Sequence, residues 1–221
     1  MKHVIAFFLI STLCFGCVRN SQHPFNSGVH SNPPTRVNWE KAPPPPTNRA
    51  LVAIAGFENK STYAADKIWD TSAQFLFTQL LNSRYFRIVE WEKMKRLFDW
   101  KTLSQLDIIK SPEKMKNAEQ ILLCDHFISG TLTRYNISTY AKTSAISKAK
   151  VIDTTIRVDL LLQNAKTGEY MAAGKGEHTI RQTIKSNQIG TWNSQSGDLA
   201  LDLAIEKALF NLIKSHNLQT R

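Results

Sequence analysis

Cysteine and histidine are the residues here best suited to covalent or metal chemistry, and the sequence carries three of the first and six of the second. Their spacing decides how much chemistry is on offer. His3, His23 and His30 lie in the first thirty residues, while His126, His178 and His216 share no metal-ligand spacing with one another or with Cys124. Cys124-Asp125-His126 puts a thiol, a carboxylate and an imidazole in a row, but consecutive residues of a strand point to opposite faces. Gly174-Lys175-Gly176 lacks the spacing of a phosphate-binding loop, and no Gly-x-Ser-x-Gly elbow is present. The sequence therefore predicts no catalytic residue, no metal ligand and no cofactor.

Cys17 is the exception, because its neighbours prepare it for modification. Lys2 gives a positive start, Val4 to Ile10 form an apolar run, and the small Gly16 precedes the cysteine. The run is too short to span a bilayer as a helix, so residues 1–16 read as an export signal. Leu13-Cys14-Phe15-Gly16-Cys17 resembles the lipobox of bacterial lipoproteins, with Cys14 where that pattern prefers Leu. The resemblance implies cleavage before Cys17 and a diacylglycerol on its thiol. Val18 stands where an inner-membrane retention Asp would stand, which implies the periplasmic face of the outer membrane. Cleavage removes Cys14 and lipidation occupies Cys17, so Cys124 remains without a disulfide partner even in an oxidising compartment. Following Ile121-Leu122-Leu123, it reads as a buried small hydrophobe.

The chain's 221 residues suit one domain with tails, and its 42% apolar content supports a core but not a polytopic membrane protein. Against 18 acidic residues stand 28 basic ones, a net charge of +10 that favours nucleic acid, anionic lipid or an acidic polymer as partner. Most aromatics sit at core-like positions and supply no stacking platform for a single strand, which together with the export signal sets nucleic acid aside. Between Arg134 and Lys185 the basic residues exceed the acidic ones. That excess reads either as a solvated face or as contact with an anionic polymer or lipid headgroups.

Residues 17–48 are rich in Ser, Asn and Pro and end in Pro43-Pro44-Pro45-Pro46, an extended tether that spans on the order of 100 Å. Trp39 within it is either a local anchor or a residue that packs on the domain. The domain runs over 49–216, leaving a tail of 217–221. Leu51 to Ala55 is a continuous apolar run closed by Gly56, as in a strand buried on both faces. Trp69, Ala73, Leu76 and Leu80 then recur at helical spacing, and Phe86 to Glu90 form a second strand. Ser111-Pro112 opens a helix. Strands follow over 126–135, 152–162 and 169–183, with Gly168 at a hairpin turn. Leu201, Ile205, Ala208, Leu209 and Leu212 share one face of a closing helix between Asp198 and Lys214. The order of elements predicts an α/β sandwich on a mixed sheet.

These landmarks resemble the CsgG family, which is named for an outer-membrane lipoprotein that secretes curli subunits. Val52 to Lys60 looks like its first strand and Phe-x-Asn turn, and Leu80 to Glu90 like its helix end and second strand. Ile128 to Tyr135 matches its Ile-x-Gly-x-(Val/Ile)-x-x-Tyr strand with Leu132 at the β-branched position. Val158 to Leu162 with Lys166 to Glu169 looks like its later hairpin, and Ala204 to Ala208 like its closing helix. The resemblance implies a periplasmic domain related to the anticodon-binding α/β fold, no enzymatic activity, and assembly into a homo-oligomeric ring or onto an envelope protein. In curli secretion proteins two hairpins per subunit enter the outer membrane. The corresponding segments here are 135–157, which its Lys142, Lys148 and Lys150 predict to be a water-exposed hairpin extending the sheet, and a short polar stretch at 179–198. The family's constriction loop corresponds to Ser61–Asp70, whose aromatics are Tyr63 and Trp69. Related domains without a barrel occur in LpoB, a lipoprotein activator of a peptidoglycan synthase, and PelC, a polysaccharide-export ring. The function implied is secretion or assembly of a surface structure (curli-like fibre, holdfast or polysaccharide), with activation of an envelope synthase as the alternative.

Overall fold

The computed structural model describes residues 29–30, 35–65, 67–143, 148–185 and 192–219. Cys17 lies outside these residues. A mixed sheet runs in the order β1-β6-β5-β4-β2-β3. Its strands are β1 (Val29–His30), β2 (Leu51–Asn59), β3 (Arg87–Ile88), β4 (His126–Thr143), β5 (Lys148–Asn164) and β6 (Tyr170–Lys185). The helices are α1 (Ile68–Ser83), α2 (Trp91–Leu97), α3 (Trp100–Ser104), α4 (Asp107–Lys110), α5 (Pro112–Leu122) and α6 (Ser194–Gln219). The expected α/β architecture on a mixed sheet is what the chain forms.

β2 is parallel to both β3 and β4, whereas β4, β5 and β6 form an antiparallel meander. Parallel neighbours need crossovers, and α1 and the α2–α5 run supply them. The apolar run Val52 to Ala55 and Phe57 is wholly shielded, between α1 and the short helices α2 to α4. Gly56 has φ +136°, and the Leu103 carbonyl oxygen would stand 1.9 Å from an added Cβ, so only glycine lets α3 approach here. α1 buries Ala73, Leu76 and Leu80 at the spacing expected and ends at Arg84 in the left-handed conformation. At the head of α5 the Ser111 hydroxyl accepts from the Lys114 amide, with Pro112 in the first turn.

α6 is longer than its apolar stripe predicts, reaching from Ser194 to Gln219. It lies along β6 and β5 with Leu201, Ile205, Ala208, Leu209 and Leu212 buried. Gly174 and Gly176 are the reason it can sit so close. An added Cβ would meet Ala208 O at 2.1 Å and Ala204 O at 1.9 Å respectively. The two glycines that failed as a phosphate loop are a seat for a helix.

β4 and β5 run past their periodic spans into the expected extension. β4 pairs with β5 as far as Thr143 and Lys148, and β6 follows β5 to Lys185. Segment 135–157 is therefore the far half of a hairpin that extends the sheet. The lysine-crowded, faintly alternating sequence predicts this extension, and Lys142, Lys148 and Lys150 are all exposed. The stretch 179–198 is no second hairpin among the described residues, but the end of β6 and the start of α6.

Candidate functional site

The most elaborated region lies where the far half of the meander meets the loop before α1 and the head of α6. Tyr135 enters this site from β4 just past a register shift between Leu132 and Arg134, which turns its ring to the inner face. Tyr63, from the loop after β2, stacks on it with centroids 3.9 Å apart and planes within 9°. Asn59 fixes that loop: its side chain donates to the Tyr63 carbonyl and accepts from Ser61. Trp192 closes the cluster edge-on to Tyr63 at 6.5 Å and donates from Nε1 to the Thr154 hydroxyl at 3.0 Å. The Tyr135 hydroxyl occupies the space an added Cβ at Gly197 would need. Burial, with Tyr63 beside it, pushes that hydroxyl well above the usual phenol range.

Beyond the cluster, the head of α6 covers the inner face of the meander. Gln182 donates to the Ser196 hydroxyl at 2.6 Å, and Ile152, Thr154 and Ile180 are shut off from solvent. The apolar face of the extension is thus occupied by the chain's own helix around Ile152, Thr154 and Ile180, while Thr139 and Ala141 nearer the tip stay exposed.

The outer face has the opposite character. Arg181 donates from Nε and Nη2 to the two carboxylate oxygens of Asp153, each at 2.8 Å, and Tyr140 donates to Asp153 as well. Arg181 holds the Asp153 carboxyl below the usual carboxylate range. Arg134 pairs with Glu177 at 3.2 Å, Arg157 lies 3.8 Å from Asp159, and Thr155 bonds across to Thr179. The three arginines of this face each meet a carboxylate, while the basic excess between Arg134 and Lys185 rests on exposed lysines, as on a solvated face.

Among the loop aromatics, Tyr63 joins this site and Trp69 does not. Trp69 is half-buried at the start of α1, edge-on to Trp91 at 6.2 Å. Tyr135 and Trp192 escaped the sequence reading, since one looked like a strand residue and the other stood in a polar stretch. Cys124 is buried, and desolvation pushes its thiol up to about 12, which makes it a poor nucleophile. His126 and His216 meet edge-on with ring centroids 6.3 Å apart, a proximity that their wide separation in sequence conceals. Burial lowers the pKa of both, and neither joins a group of three metal-ligating side chains among the described residues.

The end of the tether also belongs to the picture. Trp39 donates from Nε1 to Glu206 at 3.1 Å and meets Phe210 edge-on, while Arg36 reaches both Asp202 and Glu206 at 3.6 Å. Glu206 is buried, so these contacts compensate a carboxylate inside the domain. Trp39 packs on the domain.

A mixed α/β domain with a bulged, helix-covered meander and an N-terminal segment around Arg36 and Trp39 packed on its last helix is the class defined so far. Residues 37–219 match the family described as curli production assembly/transport component CsgG, and the chain belongs to the CsgG family. No curated protein matches it. Solved structures with a similar outline include lipoprotein GNA1162 from Neisseria meningitidis, at 16% identity over 69% of this chain and 92% of that one, TM-score 0.44. The C-terminal domain of LpoB from Salmonella enterica has 14% identity over 60% and 86%, TM-score 0.41. PelC from Paraburkholderia phytofirmans, solved as a dodecamer, has 12% identity over 83% and 97%, TM-score 0.37.

Proposed function

We propose that this chain is a non-enzymatic outer-membrane lipoprotein of the CsgG type that serves secretion or assembly of a cell-surface structure. The observation that carries this reading is the family match over nearly all of the chain after its first 36 residues. Residues 1–16 are its export signal and Cys17 its lipid attachment site, with the domain held at the periplasmic face of the outer membrane. Acyl chains contribute roughly 0.8 kcal/mol per buried methylene, so a lipidated cysteine anchors the protein without any spanning helix. None of the described helices is long and apolar enough to span a membrane, which leaves strands unconstrained.

In this reading the domain acts as an adaptor or ring subunit and partners an envelope protein or copies of itself. What favours that over a barrel subunit is the inner face of the meander around Thr154, Ile180 and Gln182, already covered by the head of α6 and Trp192. A lipid-facing strand needs about 9–11 residues with one apolar face, and Lys at mid-depth costs about 2–4 kcal/mol. Ile137, Thr139 and Ala141 offer a thin apolar face, and Lys150 stands opposite Ala141. The same covered face also suits a monomeric activator docking on an envelope synthase.

Two measurements test the proposal. Cys17→Ala should abolish incorporation of labelled palmitate and release the protein from the membrane fraction; equal labelling of the variant would remove the anchor. Native mass measurement of the detergent-extracted protein should give a homo-oligomer for a secretion component, and a monomer would transfer the role to the activator.

A further inference from the structure

Ion pairs engage the arginines on the outer face of the meander, and this draws attention to cations that have none among the described residues. Three of them converge at the opposite end of the sheet, where the tether enters the domain. A cleft of about 470 Å³ opens there, lined by Asn48, Arg49, Arg87, Asp125, His126 and Lys166 among others. It lies where β2 and β4 begin and β5 ends, so backbone hydrogen bonds fix its walls. Leu51 donates to the Asp125 carboxylate at 2.7 Å, Asp125 donates back to the Leu51 carbonyl, and Ala165 donates to the Asp125 carbonyl. Asn164 accepts from the Lys166 and Thr167 amides, which fixes the turn that carries Lys166.

The cations are held differently from those of the meander. Arg87 donates from Nε to the Arg49 carbonyl at 3.0 Å, which draws the two arginines together without spending the charge of either. Arg49, Arg87 and Lys166 form no ion pair among the described residues, whereas Arg134, Arg157 and Arg181 each face a carboxylate. Asp125, the carboxylate in the lining, spends one oxygen on a backbone amide. His126 Nδ1 is buried with no hydrogen-bond partner among the described residues. Three cations against one acid in a polar cleft leave a net positive charge with nothing to balance it.

We propose that this cleft is a binding site for a phosphate-bearing anion, gripped by the Arg49 and Arg87 guanidiniums with Lys166 as a third charge. Guanidinium forks match the paired oxygens of a phosphate, and a lysine adds a mobile point charge. The lining has no wall for an acyl chain, so the ligand is a free phosphate compound or the headgroup of an anionic phospholipid. The site requires neither the lipid anchor nor a particular oligomer.

Calorimetric titration of the purified full chain tests this with inorganic pyrophosphate and with dihexanoylphosphatidylglycerol kept below micelle formation. Dihexanoylphosphatidylcholine is the zwitterionic control. Saturable binding of pyrophosphate upholds a phosphate site; binding of phosphatidylglycerol alone upholds a headgroup site. Arg49→Gln with Lys166→Gln should weaken either interaction roughly tenfold or more, because charge-assisted hydrogen bonds are lost. Both side chains are exposed, so the melting temperature should hold. Lys142→Gln with Lys175→Gln removes the same charge elsewhere and should leave binding unchanged. Equal weakening by the control pair, or no saturable binding of either probe, overturns the site.

Discussion

The two faces of the β4–β6 meander are built on opposite principles. On the inner face, Gly174 and Gly176 give up their side chains so that the backbone of α6 can approach, and Leu209 and Leu212 fill what remains. On the outer face of the extension, beside buried Val151, Asp153–Arg181, Arg134–Glu177 and Thr155–Thr179 knit strand to strand at the solvent boundary. The inner face gains from removing apolar area from solvent, roughly 25 cal/mol per Å². The outer face gains little from each exposed pair. Stability of the extension therefore comes from the helix side, and the outer side sets solubility and strand register.

That asymmetry can be broken from the inside with the largest effect. Leu209→Ala empties a fully buried position and should cost about 2–5 kcal/mol in chemical unfolding. An unchanged midpoint would show that α6 does not seal the sheet. Trp39→Ala comes next, at about 1–3 kcal/mol, because it withdraws the Nε1 donor from buried Glu206. No loss would mean that the end of the tether lies on α6 without contributing to it.

The outer face should respond mainly to pH. Arg181 lowers the pKa of Asp153, so the pair stabilises the fold above the ordinary carboxylate range and loses that contribution as pH falls through the folded value. Asp153→Asn should flatten this part of the acid limb of a melting curve while changing neutral stability least of the three. A second pH effect belongs to the sheet's far end. His126 and His216 are lowered by burial, so stability is complete above the ordinary histidine value. It should fall below that value, as the unfolded chain takes up protons that the folded chain refuses. His126→Phe should reduce the loss seen as pH falls below about 6.5, if the ring's volume is retained.

The sequence made the inner face legible and the outer face obscure, for a physical reason. Burial writes periodicity, so the β2 run, the α1 spacing and the α6 stripe could each be read before any contact was known. A water-facing strand writes almost none: the periodic spans of β4 and β5 stop short, and only Lys142, Lys148 and Lys150 announce that the segment between them extends the sheet in water. The loop aromatic Tyr63 could be singled out because its loop aligned with a family landmark. Its partner Tyr135 could not be paired with it, since the stack depends on a register shift that no local spacing announces. The cationic cleft was equally hidden, because Arg49, Arg87 and Lys166 come from three distant segments and meet only through strand order.

The central claim is that the inner face of the meander is committed to the chain's own α6 and not to lipid. Residues 28–221, which keep Arg36 and Trp39 but lack the signal and Cys17, can be offered to liposomes while conductance is recorded. The account predicts protein that remains in the aqueous fraction and bilayers that stay electrically silent. Spontaneous insertion with ion-conducting pores would contradict it, because α6 would then have to release the strands it covers.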